Sequence, residues 1–265
     1  VHVATEGPLG WSALRAARAL GLPVVSSYHT HFPGYTRHYG LAALGTPIRA
    51  WLRHFHRRCA LTLAPTAALA GELAATGYGR TGVLARGVDT GLFDPARRDP
   101  ALRAQWGAHG DAPVVLGVGR LAPEKNWTLA LAAWTAIRAA LPGARFVLAG
   151  EGPQRAALRA ALPEATFCGE LPPERLAATY ASADLFLFPS LTETWGNVTA
   201  EAMASGLAVV AYRCAGAAEL IRDGHDGALA EPGDAAAFVG AALALALDPD
   251  RRARCGAAAR HTALG

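Results

Sequence analysis

Cysteine is scarce: Cys59, Cys168, Cys214 and Cys255 are the only four in 265 residues, and no two of them form a C-x-x-C pair. That spacing gives neither a disulfide framework nor a zinc-binding pattern, and it suits a reducing cytoplasm. Long apolar runs are missing as well. The most apolar stretch, residues 235–247, stops at Asp234 and Asp248 and is too short to cross a bilayer, so a buried helix is expected there. No signal peptide pattern is visible. Charge of one sign does not accumulate along the chain either: 25 basic and 21 acidic residues leave a net charge of +4, with the basic residues scattered. Charge alone therefore gives no indication of a nucleic-acid partner, and none is expected. It would suit a phosphorylated ligand, an anionic membrane surface or simply a slightly basic exterior. With 52% apolar and 17% charged residues the chain is globular, not disordered.

Short apolar runs alternate with segments of helical period, a βαβα rhythm that predicts parallel sheets covered by helices on both faces. Strands are expected at residues 1–4, 24–28, 61–64 and 83–85, and in a second series at 114–118, 145–149, 166–168, 185–188, 208–211 and 227–230. Between the series lies R-G-V-D-T-G-L-F-D-P-A-R-R-D-P, residues 86–100, rich in Gly, Asp and Pro and read as the domain connection. Two domains are expected, at residues 1–90 and 91–265. The first holds about half of a Rossmann-like sheet and the second a complete one. Val1 already stands in a predicted strand, so an N-terminal portion is expected to be absent.

Three stretches carry chemistry. In L-F-P-S-L-T-E-T-W-G-N-V-T-A-E, a strand runs into a polar loop and a helix begins near Asn197, read as its N-cap. A loop at a strand's carboxyl end is where open α/β sheets bind ligands, and a helix N-terminus favours a phosphate. Glu193 and Glu201 would flank that anion site, one meeting a ribose hydroxyl and the other a sugar, although a loop acid or a solvated helix face explains each singly. In V-V-L-G-V-G-R-L-A-P-E-K-N-W, Gly117 and Gly119 are read as allowing a tight turn, with Arg120 and Lys125 beyond it suited to a diphosphate. A dinucleotide fingerprint through Gly117, Gly119 and Ala122 is disfavoured, because Pro123 delays the helix and no acid follows at the end of a second strand. In P-V-V-S-S-Y-H-T-H-F-P-G-Y, a strand delivers His29 and His31 to a loop with Pro33 and Gly34. Such a histidine can meet a sugar hydroxyl, although a structural or surface role is the commoner one and is assigned to His31.

Together these stretches resemble glycosyltransferase family 4, the retaining GT-B enzymes. Glu193 and Glu201 match the family's E-x7-E pair, Arg120 and Lys125 its G-R-x-x-x-E-K clamp, residues 86–95 its connecting G-V-D-x-x-x-F segment, and His29 its cleft histidine. The resemblance implies an α/β GT-B fold, with two Rossmann-like doubly wound parallel-sheet domains facing a cleft and the N-terminal one incomplete. It places Glu193 at the donor sugar, Glu201 at the ribose, and Gly196, Asn197 and Val198 along the diphosphate near Gly119. G-E-G-P-Q-R at 150–155 also fits the family, with a turn starting a helix as an equal reading. A-T-E-G-P-L-G-W and S-S-Y-H-T-H-F-P are most similar to the branch of GDP-mannose-dependent α-mannosyltransferases and sulfoquinovosyl diacylglycerol synthases. The family's first strand with its glycine-rich loop and its closing C-terminal helix are not found.

The expected activity is transfer of a hexose, mannose from GDP-mannose in preference to a UDP-hexose, onto a lipid or glycan. No cofactor is expected, peripheral contact with the cytoplasmic membrane is, and no Asp-x-Asp motif stands at the phosphate site to hold a metal. A noncatalytic nucleotide-sugar-binding fragment is the alternative. A glycoside hydrolase is disfavoured, since its two carboxylates flank a scissile bond and not a helix N-terminus beside two cations.

Overall fold

The computed structural model describes residues 1–29 and 45–265. The chain divides into two compact units, one made of Val1–Arg86 with Thr192–Trp195 and the other of Gly87–Leu191 with Gly196–Gly265. Grouping Thr192–Trp195 with the first unit differs from assigning all of 91–265 to one domain. One contact of that segment with the first unit is a hydrogen bond: Thr194 Oγ1 donates to the His29 carbonyl at 2.8 Å. His31, Pro33 and Gly34 lie outside the described residues.

The first unit is a parallel sheet of β1 (His2–Val3), β2 (Val25–Ser27), β3 (Leu61–Ala64) and β4 (Thr81–Val83), in that order. Helix α1 (Pro8–Ala19) turns Leu14 and Ala17, one turn apart, onto Val3, Val24 and Phe55. Helix α2 (Gly45–His56) supplies that Phe55 and also Leu52, which packs with Tyr28, Ala64 and Leu73. Helix α3 (Ala67–Ala75) is capped by Thr66, whose hydroxyl accepts from Leu69 N–H at 3.2 Å. Predicted strand 83–85 is instead Thr81–Val83. It is an edge strand among the described residues, where Val83 and Leu84 stay half exposed, so an apolar run there does not mark burial.

The first unit also buries a polar chain. His56 Nδ1 meets Ser26 Oγ at 2.9 Å and Thr62 Oγ1 at 3.3 Å, and its Nε2 meets Glu6 Oε1 at 3.1 Å. All four side chains are buried, and a buried polar group survives only with such partners.

The second unit has six parallel strands ordered β10-β9-β8-β5-β6-β7. They are β5 (Val114–Val118), β6 (Arg145–Ala149), β7 (Thr166–Gly169), β8 (Leu185–Phe188), β9 (Ala208–Tyr212) and β10 (Ala228–Ala230). Strands β5, β8 and β9 are buried at every residue, which is why they read as continuous apolar runs. Helices α4 (Pro100–Gln105), α5 (Trp127–Ala140), α6 (Arg155–Ala161), α7 (Pro173–Ala181), α8 (Asn197–Ala204), α9 (Ala215–Leu220), α10 (Ala235–Leu247) and α11 (Pro249–Leu264) accompany them. The stretch read as a buried helix is α10, which buries Phe238, Ala242, Leu245 and Ala246 and leaves Leu247 half exposed. Among the described residues no helix is long and apolar enough to cross a membrane.

Two features hold this unit's ends. Asp184, just before β8, accepts from Val114 N–H at 2.7 Å and pairs with Arg98 at 2.7 Å and Arg103 at 2.9 Å. Near the end of α11, Arg260 donates to the carbonyls of Thr90, Phe93 and Ala204 and pairs with Asp94 at 2.6 Å.

Candidate functional site

Strand β5 pairs with both β6 and β8, so the winding of the second sheet reverses between β5 and β8. A crevice opens outside the carboxyl ends of the strands at such a reversal, and the loops after β5 and β8 border it. Those loops are the two in which the sequence concentrates its candidates.

After β5 the backbone turns at Gly119, with φ of 146°. Gly117 does not make the turn. It lies inside β5, where a Cβ would come within 2.7 Å of the Trp127 ring, so its role is to admit that indole. Trp127 in turn donates from Nε1 to the Arg120 carbonyl at 2.9 Å. A 3-10 turn, Pro123–Lys125, and a left-handed Asn126 at φ 55° delay α5, and these place Arg120 and Lys125 on the loop. The guanidinium of Arg120 is exposed and reaches buried Glu124 at 3.5 Å, while Lys125 Nζ stands 5.8 Å from the centre of the Phe188 ring at the end of β8. The two loops are joined directly: Asn126 Nδ2 donates to Pro189 O at 3.2 Å and Ser190 Oγ to Glu124 O at 3.3 Å.

The loop after β6 supports the first. Gly119 N–H donates to Ala149 O at 3.0 Å and Leu121 N–H to Glu151 O at 2.8 Å. At Gly150, φ is 133° and a Cβ would sit 2.0 Å from the Gly119 carbonyl oxygen, so only glycine fits. Within G-E-G-P-Q-R this is the physical need that the sequence pattern reflects.

After β8, the N-cap of α8 is Gly196 and not Asn197. Gly196 takes the left-handed φ of 86°, and Asn197 is the first helical residue, with its side chain making no cap. Val198 is half-buried beside it. One turn on, Glu201 accepts from the Tyr180 hydroxyl of α7 at 3.0 Å. Burial pushes the Glu201 carboxyl above the usual range, and the tyrosine opposes that shift. The raised value means that the stability associated with Glu201 is present in acid and is lost as pH rises through its folded pKa. Tyr180→Phe removes the opposing bond. The variant is expected to lose about 1–2 kcal/mol at neutral pH, with the difference from the parent shrinking in mild acid where Glu201 is protonated. Urea unfolding at the two pH values checks this, and an equal loss at both would refute the coupling.

Thus Gly119, Arg120, Lys125, Gly196, Asn197, Val198 and Glu201 all stand on the two joined loops or on the helix that follows. His29 and Glu193 belong to the first unit's set of contacts. There His29 Nδ1 lies 3.2 Å from Arg86 NH2, and burial, then Arg86, push its imidazole below the usual value. Sequence reasoning passed over Tyr180, Asn126, Ser190 and Arg86. Asn126, between a turn and a helix, offered a signal through its tolerance of left-handed backbone. Tyr180, 21 residues before its partner, offered none.

The family profile described as Glycosyl transferases group 1 matches residues 112–248, and that of Glycosyltransferase Family 4 matches residues 1–92. A GDP-mannose-dependent alpha-mannosyltransferase of Mycobacterium tuberculosis is 39% identical over 267 residues, taking in 100% of this chain and 68% of its own. A sulfoquinovosyl transferase of Arabidopsis thaliana is 36% identical over 271 residues, with 98% and 52% covered. Among solved structures, a sucrose-phosphate synthase from Thermosynechococcus elongatus superposes with a TM-score of 0.84 over 99% of this chain and 68% of its own, at 24% identity, a likeness of fold. With both units matched and the two parallel sheets of a GT-B fold in place, the chain belongs to glycosyltransferase family 4 and is a glycosyltransferase.

Proposed function

We propose that the protein transfers mannose from GDP-mannose to a lipid or glycan acceptor, with retention of the α configuration and without a divalent metal. The observation that carries the reading is the pair of cations, Arg120 and Lys125, on a loop bonded to the one that leads into the N-terminus of α8. Fixed positive groups there suit the charge that develops as a nucleoside diphosphate departs, and they leave a metal little to add. The similarity to GDP-mannose-dependent relatives supports the choice of donor. A UDP-hexose is the second reading, favoured by the likeness in fold to Anabaena HepE, solved in complex with UDP-glucose.

In this proposal Glu201 meets the ribose, Glu193 the sugar, and Gly119, Gly196, Asn197 and Val198 line the diphosphate. The leaving phosphate accepts the acceptor's proton on the face from which it departs, and His29 helps to hold the sugar. Glu201→Ala is expected to weaken both donor and free GDP. Glu193→Ala is expected to depress turnover while leaving GDP affinity nearly unchanged. Calorimetry with GDP and UDP, together with turnover and product anomer measured with and without chelator, checks each part. Equal loss of GDP affinity in both variants removes the division of roles. An inverted product removes the retaining mechanism, and chelator-sensitive turnover restored by magnesium removes metal independence.

The proposal extends to peripheral contact with an anionic membrane from the cytoplasmic side. Residues 1–86 hold nine arginines and two carboxylates, whereas residues 87–265 hold sixteen basic and nineteen acidic groups. One of those two carboxylates, Glu6, is buried against His56. The basic residues that are scattered in sequence are gathered by α1 and α2: Arg15, Arg18, Arg49 and Arg53 are exposed, with Arg57 and Arg58 just beyond. The rings of Trp11 and Trp51 stand 5.1 Å apart among them, and Arg58 lies over Trp11. Arginine with interfacial tryptophan suits a headgroup layer. The protein is expected to co-sediment with phosphatidylglycerol vesicles and not with phosphatidylcholine ones, and to be released by salt or by Arg53→Glu with Arg57→Glu. Binding unaffected by charge reversal would sink the assignment.

A further inference from the structure

His29 follows β2 by two residues, and its partner Arg86 lies 57 positions away as the last residue of the first unit before Gly87. The contact, Arg86 NH2 to His29 Nδ1 at 3.2 Å, has only one chemically attractive form. A guanidinium offers five N–H donors, no acceptor, and does not give up its proton. The imidazole must therefore present a lone pair at Nδ1, and its hydrogen must sit on Nε2. Placing a second proton on the ring would set a Nδ1–H against a cation. Among the described residues, the remaining charged neighbours do not reverse this. His2 acts in the same sense as Arg86, and Glu6 in the opposite one is itself engaged by His56. Burial disfavours the imidazolium further. The backbone is held as well, since the His29 carbonyl accepts from Thr194.

We infer that Arg86 is a positioning residue that fixes His29 as the Nε2–H tautomer, so that the ring meets a hydroxyl oxygen as a hydrogen-bond donor and does not act as a base through Nε2. That the hydroxyl belongs to a sugar rests on the transferase reading above; the tautomer does not. Arginine in R-G-V-D thus has a task apart from the domain connection in which it stands.

The test is long-range proton–nitrogen spectroscopy of the 265-residue protein labelled with 15N-histidine, with the His29 signals assigned by their loss in His29→Gln. The unliganded protein is expected to show the Nε2–H pattern, persisting as pH falls through the ordinary histidine range. Arg86→Ala is expected to give mixed tautomers and an upward shift of the His29 midpoint. Arg86→Gln removes the charge and brings an amide oxygen that can accept from Nδ1–H, so it too should mix the tautomers and move the midpoint up; if the alanine variant does not fold, this variant carries the test. A Nδ1–H pattern in the parent, or spectra and midpoints in both Arg86 variants identical to the parent's, would overturn the inference. Failure of mannose transfer with the expected spectra would remove the proposed donor and the sugar contact of His29 alone.

Discussion

Turnover is expected to fall by about a hundredfold or more when Arg120 is replaced by alanine, the usual size of the loss when one preorganised group facing a developing oxyanion is removed. The expectation rests on how little holds this guanidinium: its contact with Glu124 is at 3.5 Å and its side chain is 57% exposed, so its planar fork is available to phosphate oxygens. Arg120→Lys should recover only part of the loss, because a point charge replaces a bidentate donor. Lys125→Ala should cost less, since Nζ is already drawn to the Phe188 ring. The measurement is kcat and KM for the donor in the enzyme. A change in KM alone, with kcat untouched, would mean that Arg120 serves ground-state binding only.

Asp184→Asn is expected to produce the largest loss of stability, about 3 kcal/mol. Burial raises the carboxyl, but the Val114 N–H, then Arg103 and Arg98, outweigh it and hold Asp184 below the usual range. Its side chain is 17% exposed and that of Arg103 only 11%, so neutralising the acid strands a nearly buried cation. Arg98 is 43% exposed, is well solvated without its partner and adds little. The sign with pH follows from the depressed value: the stabilisation is present above the ordinary aspartate pKa of about 3.9 and is lost as pH falls through the lower folded value. Urea midpoints should therefore differ widely at neutral pH and converge in strong acid. A constant difference across pH would separate the loss from the ion pairs.

The central strands were readable because a parallel strand covered on both faces must be apolar at every position. Leu185–Phe188 and Val114–Val118 stand where their runs predict. The edge strand Thr81–Val83 is displaced from its expected position because exposure there removes the constraint that links burial to composition. At α8 the polar side chain of Asn197 invited an N-cap assignment, yet the backbone needed a left-handed residue one position earlier and Gly196 supplies it. Gly117 and Gly119 read alike in sequence but answer different demands, one the bulk of Trp127 and the other a turn. Least readable were bonds between distant residues. Glu6 and His56 are 50 apart and His29 and Arg86 are 57 apart, with no periodicity to connect either pair.

The grip of Arg260 has a bearing on how the chain is made. Three of its four partners, Thr90, Phe93 and Asp94, leave the ribosome about 170 residues before it does, and the fourth, Ala204, 56 before. Translation at roughly 5–20 residues per second leaves that early segment without its clamp for about ten seconds or more. In vectorial synthesis residues 1–86 can thus fold while the opening of the second unit waits, and the nascent second unit is expected to gain protease resistance once Arg260 has emerged.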